Sequence, residues 1–320
     1  MQKRLFYLDV MKGILIILVI LGHSIQDTIS DYQNNFLFRF IYSFHMPLFF
    51  AISGYLTFKN KYDKTLLKKR ALQLLVPFGV WAFALPICTY GILDWNKTQK
   101  ILLYPDNGLW FLYNLFIYST IFNATERWKT KRFGQTFLFC ICYIILCILM
   151  TIFHKLFNFT QICWYLPFFA IGFYLHKYER SIEKYNKAIL WTGTILYMCT
   201  IPFWMMREEP LFYKWINLGN VFSYFYRYAV EFIGTILFFT AGKKLLNHHF
   251  IGLNQIGRQT LGIYAFQFIT LYHISKLITL QNVYVNIFLK TIFTLITSYI
   301  IVLIIERIKF INLLFIGKAK

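Results

Sequence analysis

Charge is scarce in this chain, and negative charge most of all. Asp and Glu number 13 against 33 Lys and Arg, and charged residues of both signs make up 14% of 320 residues. So little charge, with 58% hydrophobic and 21% aromatic residues and a mean hydropathy of +0.53, excludes an ordinary soluble domain. No CxxC pair occurs. The six cysteines (Cys88, Cys140, Cys142, Cys147, Cys163, Cys199) sit inside apolar runs without metal-type spacing, so they read as small core residues rather than a disulfide frame or a zinc site. No stretch between apolar runs exceeds about twenty residues, which leaves no room for an appended soluble domain. Nor do two halves carry matching Gly/Pro-broken segments, a symmetry that marks many transporters.

What is present is a series of apolar runs about 17–25 residues long, the length of a bilayer-spanning helix. Hydropathy places helices near 6–28, 36–58, 71–93, 109–125, 134–153, 162–176, 188–206, 220–241, 261–276 and 284–306. The expected fold is all-α: a polytopic transmembrane bundle of about ten helices, forming a single membrane-embedded domain over 1–320. The basic start and first apolar stretch resemble a signal peptide, but no small-residue cleavage site follows His23, so a retained first helix is expected.

The net charge of +20 does not point to nucleic acid, because the basic residues fall in short clusters between apolar runs. Alternate segments starting from the N-terminus hold 23 Lys and Arg, including "KNKYDKTLLKKR" and "RWKTKR". The opposite segments hold six: Lys97, Lys100, Lys155, Arg207, Lys214 and Lys276. The positive-inside rule then puts both termini in the cytoplasm, and the clusters also suit the attraction of an anionic substrate to a cleft mouth.

The first helix, "RLFYLDVMKGILIILVILGHSI", carries Asp9, Lys12 and His23. At 100° per residue His23 falls about 20° from Lys12 and about 40° to the other side of Asp9, so all three share one sector; Lys12 and His23 are separated by about 16 Å of rise. Asp9 and Lys12, at i and i+3, suit a local ion pair that snorkels to the interface. A lone histidine is most often a packing residue, but ionisable groups inside a span mark cavities and reaction sites. The second helix, "FRFIYSFHMPLFFAISGYL", brings His45 to the depth of His23. Pro47 is expected to bend it, and Ser53–Gly54–Tyr55 to admit another backbone.

"LDVMKGILIILVILGHS" followed by "SFHMPLFFAISGYL" resembles the start of the acyltransferase family 3 integral-membrane proteins, especially the branch resembling fucose 4-O-acetylases and nodulation-factor acetyltransferases. The family pattern of a basic residue, ten intervening residues and a histidine is here Lys12 and His23. "LWFLYNLF" and "IGRQTLGIYAFQF" extend the likeness over nearly the whole chain. One position departs: where many members have a histidine after the tyrosine of the ninth helix, this chain has Gln267, so no catalytic role carries over there.

The resemblance implies transfer of an acyl group, usually acetyl, from acyl-CoA to a hydroxyl of a cell-envelope carbohydrate, with no bound cofactor or metal. The implied partners are acyl-CoA, a carbohydrate acceptor and the bilayer of the cell (cytoplasmic) membrane. His23 is the expected general base, with a reference pKa near 6.5 suited to that task. Lys12 and Asp9 are placed at the donor end. His45, Trp110, Tyr113, Arg227, Glu231, Tyr264 and Gln267 are expected to line the acceptor side or the pocket. For several of these a structural role is the alternative: Arg227 and Glu231, four apart, suit a buried ion pair, and Trp110 and Tyr113 suit the interfacial aromatic belt. His154, His176, His248 and His249 read as interface groups, and His273 as a residue near the outer end of its helix. The rival from another class is a transporter or flippase of polysaccharide or lipid-linked sugar; a glycan polymerase is expected to need a large external loop.

Overall fold

A computed structural model describes residues 5–58, 62–105, 109–130, 133–206, 220–246 and 250–318, with backbone alone at Tyr90, Asn220 and Ile251. His248 and His249 lie outside the described residues. So do several basic residues of the orientation count: Lys3, Arg4, Lys59, Lys61, Lys131, Arg132, Arg207, Lys214 and Lys320.

Among the described residues there are sixteen α-helices and no strand. They are α1 (Phe6–Thr28), α2 (Phe36–Tyr42), α3 (His45–Thr57), α4 (Leu66–Arg70), α5 (Val76–Tyr90), α6 (Trp95–Leu103), α7 (Trp110–Trp128) and α8 (Gln135–Phe153). There follow α9 (Phe159–Lys177), α10 (Glu179–Glu183), α11 (Asn186–Thr200), α12 (Asn220–Leu245), α13 (Ile251–Arg258), α14 (Thr260–Leu277), α15 (Val283–Ile305) and α16 (Lys309–Ile316). Each expected span overlaps helix, but those expected at 71–93 and 188–206 run past the helices there. Six stretches of the described residues are long and apolar enough to cross a membrane: Phe6–Thr28, Phe36–Thr57, Leu66–Thr89, Gln135–Phe153, Leu156–Lys177 and Val283–Ile305. The chain is a multi-pass membrane protein.

The second expected span is not one helix. It breaks at Ser43–Phe44, between α2 and α3. Pro47 has no N–H for the Ser43 carbonyl, so the helical ladder cannot run through that point. At the break the Ile41 carbonyl accepts from the Phe44 N–H at 3.3 Å and also from the His45 ring, with Nδ1 at 2.8 Å. The third span is likewise irregular: Ala71–Leu75 widens into a π-helical turn immediately before Pro77 at the start of α5.

The chain divides into two compact units, the boundary running through α3, α9 and α15. The first comprises Met1–Ile52 and Tyr174–Tyr299. Here α1 packs on α13 by reciprocal backbone contact: a Cβ on Gly257 would fall on the Asp9 carbonyl, and one on Gly13 on the Leu253 carbonyl. Such small-residue seams let two helices approach closely. Gly242 takes the Met11 side chain against α12, and Gly234 admits Tyr197 and Phe44. The Tyr197 hydroxyl meets Ser43 Oγ at 2.6 Å, tying α11 to the α2–α3 break. Arg39, buried in α2, donates to the Pro202 carbonyl at 2.8 Å. Lys243 bridges from α12 to Glu183 at 2.7 Å and to Glu179, which secures α10.

In the second unit, Ser53–Phe173 and Ile300–Lys320, aromatic rings meet between helices. Phe122 of α7 lies 5.1 Å from Phe139, 5.3 Å from Phe169 and 4.6 Å from Phe173, between ring centroids. Gly54 meets the Phe169 carbonyl of α9, the close approach expected near Ser53–Gly54–Tyr55. Pro167 inside α9 leaves the Cys163 carbonyl without its helical donor, and Tyr143 of α8 supplies one at 3.2 Å. Asp94 caps α6, and the Lys97 backbone N–H on its carboxylate, at 3.1 Å, holds that carboxyl below its ordinary range.

Candidate functional site

Helix α1 is continuous from Phe6 to Thr28, so the common sector of Asp9, Lys12 and His23 is realised without a kink. At its N-terminal end Asp9 is 5% exposed and Lys12 Nζ sits 2.8 Å from Oδ1, the i,i+3 pair expected from the sequence. Arg258, at the end of α13, brings Nε to 3.9 Å from Oδ2. A carboxylate this deeply buried is tolerated because two cations face it. Arg258 was not among the expected site residues. It reaches Asp9 because the Gly13–Gly257 seam sets α13 directly on α1.

Further along α1, the His23 ring packs 5.0 Å from Phe268 of α14, and its Nδ1 lies 2.9 Å from Gln26 Oε1. That oxygen also accepts from the Tyr42 hydroxyl at 2.9 Å. The Tyr42 ring meets the His45 ring edge to face, centroids 4.6 Å apart. The two histidines expected at one depth are thus joined through Tyr42 and Gln26, neither of them among the expected site residues.

Beyond them, Lys290 of α15, itself 5% exposed, bonds Asp27 Oδ2 at 2.7 Å and Thr28 Oγ1 at 3.2 Å, while Ser275 of α14 donates to the same Asp27 oxygen at 2.6 Å. This clamp fixes the C-terminal end of α1 to two other helices. A histidine on a fixed helix holds its geometry to a reacting atom better than one on a loop.

Of the remaining expected residues in the first unit, Gln267 is 2% exposed, and neither amide atom has a hydrogen-bond partner among the described residues. Ser24, fully buried beside His23 in sequence, has an unpartnered hydroxyl as well. Each such group costs about 1–3 kcal/mol when left dry, so their presence one residue from the His23–Phe268 contact suits polar matter in that region. Tyr264 is buried and meets Phe268 edge to face at 6.1 Å. Glu231 is buried in α12 with Arg227 half-buried one turn before it.

Trp110 and Tyr113 belong to the second unit. Trp110 stacks on Tyr165 at 5.3 Å and Tyr113 tilts against Phe78 at 5.5 Å. Next to them Asn114, fully buried, accepts from Asn158 Nδ2 at 2.9 Å. No group of three or more His, Cys, Asp or Glu suited to a metal occurs among the described residues. His273 lies against Tyr272, centroids 5.3 Å apart.

Two curated proteins similar to this chain are both described as nodulation protein NolL. The one from Sinorhizobium fredii (strain NBRC 101917 / NGR234) is 31% identical over 200 residues, covering 57% of this chain and 50% of that protein. The one from Mesorhizobium japonicum (strain LMG 29417 / CECT 9101 / MAFF 303099) is 36% identical over 144 residues, covering 38% and 37% respectively. The matches therefore span half or less of the relatives' own length. No solved structure matches. The family model described as an acyltransferase domain matches residues 5–307, nearly the whole chain, and the protein belongs to this acyltransferase 3 family.

Proposed function

We propose that the chain is a membrane O-acyltransferase that moves acetyl from acetyl-CoA to a hydroxyl of a cell-envelope or exported carbohydrate. In this reading residues 1–320 form one catalytic domain of about ten spans in the cytoplasmic membrane, with both termini in the cytoplasm. The observation that carries it is the ordered face of α1: a cation pair on a buried carboxylate at one end, and a histidine held by neighbouring side chains about 16 Å along. Acyl-CoA has the same polarity, with phosphates at one end and a thioester at the other.

Lys12, oriented by Asp9, meets the donor's phosphates or the start of its arm. His23 takes the proton of the attacking sugar hydroxyl as its oxygen bonds to the thioester carbonyl carbon; the carbon–sulfur bond then breaks, and the leaving thiolate receives that proton. A general base of this kind contributes about 10²–10⁴ in rate. In the first unit His45, Tyr264, Gln267, Arg227 and Glu231 serve the acceptor or the pocket; in the second, Trp110 and Tyr113 offer an aromatic platform for a sugar ring. The family assignment and the absence of visible repeat symmetry favour this over a polysaccharide or lipid-linked-sugar transporter.

The test is purified protein with radiolabelled acetyl-CoA and the cell's surface polysaccharide. Labelled ester on the glycan with wild type, and none with His23→Ala at equal protein level, is the expected result. Glycan movement across vesicles without ester formation would overturn the reading in favour of transport.

A further inference from the structure

His23 as base still has two ring nitrogens, and the structure distinguishes them. Gln26 Oε1 is a carbonyl oxygen, an acceptor with no hydrogen to give. Tyr42 Oη donates to it at 2.9 Å, and His23 Nδ1 stands at the same distance. The imidazole therefore presents Nδ1–H to that oxygen. A neutral imidazole carries one ring proton, so Nε2 keeps a bare lone pair. Nε2 makes no hydrogen bond among the described residues.

The oxygen is itself held in place. Tyr42 lies over Gly22, where a Cβ would stand 2.7 Å from the ring and push it from the place from which the phenol reaches Gln26, one turn past His23. The ring stacks on fully buried Phe38 at 4.0 Å, and Asn35 caps this short helix by accepting from the Phe38 N–H at 3.0 Å. His45, the other titratable ring beside Tyr42, does not compete for Gln26, because its own Nδ1 is committed to the Ile41 carbonyl. On the α14 side, Phe268 limits ring rotation without offering a proton or a charge.

We propose that Gln26, anchored by Tyr42, is a positioning residue that locks His23 in the Nδ1–H tautomer and so makes Nε2 the atom that takes the acceptor hydroxyl's proton. This rests on the reading of His23 as the general base. During transfer the proton moves from the hydroxyl to Nε2 as the new carbon–oxygen bond forms. The imidazolium keeps Nδ1–H on Gln26 Oε1, and the Nε2 proton passes to the thiolate as the carbon–sulfur bond breaks. The holding group needs only to be an acceptor at that place, so Glu can replace Gln and Leu cannot.

The experiment uses full-length, bilayer-reconstituted protein labelled with ¹⁵N-histidine, the His23 signals being identified by their loss in His23→Gln. Nδ1 protonated and Nε2 bare are expected in wild type and in Gln26→Glu, with a tautomer mixture in Gln26→Leu. With acetyl-CoA and surface polysaccharide, Gln26→Leu should lose about 10–100-fold in kcat at unchanged KM for acetyl-CoA, the loss that follows when a metal-bound histidine loses its orienting partner, and Gln26→Glu should restore most of it. An Nε2–H tautomer in wild type, or a Gln26→Leu protein with wild-type kcat, overturns the proposal. Undiminished transfer by His23→Ala would instead remove the base reading beneath it, and the tautomer spectrum, which needs no turnover, tells the two failures apart.

Discussion

Helices α1 and α8 are both long and apolar enough to span a membrane, yet 67% of the apolar stretch of α1 is buried by the rest of the protein and only 6% of that of α8. The difference follows their composition. α8, "QTFLFCICYIILCILMTIF", contains no Asp, Glu, Lys, Arg or His and exposes Ile141, Ile144, Ile145, Ile148 and Ile152, a surface fit for lipid. α1 carries Asp9, Lys12, His23 and Asp27, and each faces a partner on another helix or on its own. Ionisable groups in a span are costly unless protein surrounds them, so the helix that bears them is the one drawn inside.

The largest expected effect that sharpens this contrast is at His23. His23→Ala should lower acetyl transfer by about 10²–10⁴, with unchanged thermal unfolding, since the proposed general base is removed and no charge is stranded. Next is a charge placed on the other helix: Ile144→Lys, at the middle of α8, should incur an insertion cost of about 2.5–3.5 kcal/mol, seen as loss of membrane-integrated protein. A third change attacks what holds α1 in place. Gly257→Val pushes a side chain onto the Asp9 carbonyl and should destabilise the protein by about 1–3 kcal/mol, read as a lower unfolding midpoint in detergent. The smallest is Ile144→Ala, expected within about 0.5 kcal/mol of wild type on the same assay; a large loss there would mean that α8 is not the lipid-facing helix described.

The sequence made some of this readable and hid the rest for physical reasons. The shared face of Asp9, Lys12 and His23 followed from helical period alone, and α1 has no kink to disturb it. The backbone approach at Gly54 was readable because a glycine in an apolar helix has few other uses. The break at Ser43–Phe44 was displaced from the expected bend, since a proline deprives the carbonyl four residues before it rather than its own position. Helices α13 and α16, eight residues each, are too short to register as apolar spans, and with α13 went the Arg258–Asp9 contact. Gln26 and Tyr42 were invisible for another reason: their pairing depends on Gly22 letting two helices touch, a fact of packing rather than of period. The three-residue spacing of Gln26 from His23 was the one available hint.

In the proposed reading the two ends of the α1 face do different work, and steady-state kinetics on Lys12→Ala and His23→Ala with acetyl-CoA and surface polysaccharide separate them. A split is expected: a raised KM for acetyl-CoA with kcat kept in Lys12→Ala, and a collapsed kcat with KM kept in His23→Ala. An unchanged donor KM in a well-folded Lys12→Ala protein, or undiminished kcat in His23→Ala, would contradict it.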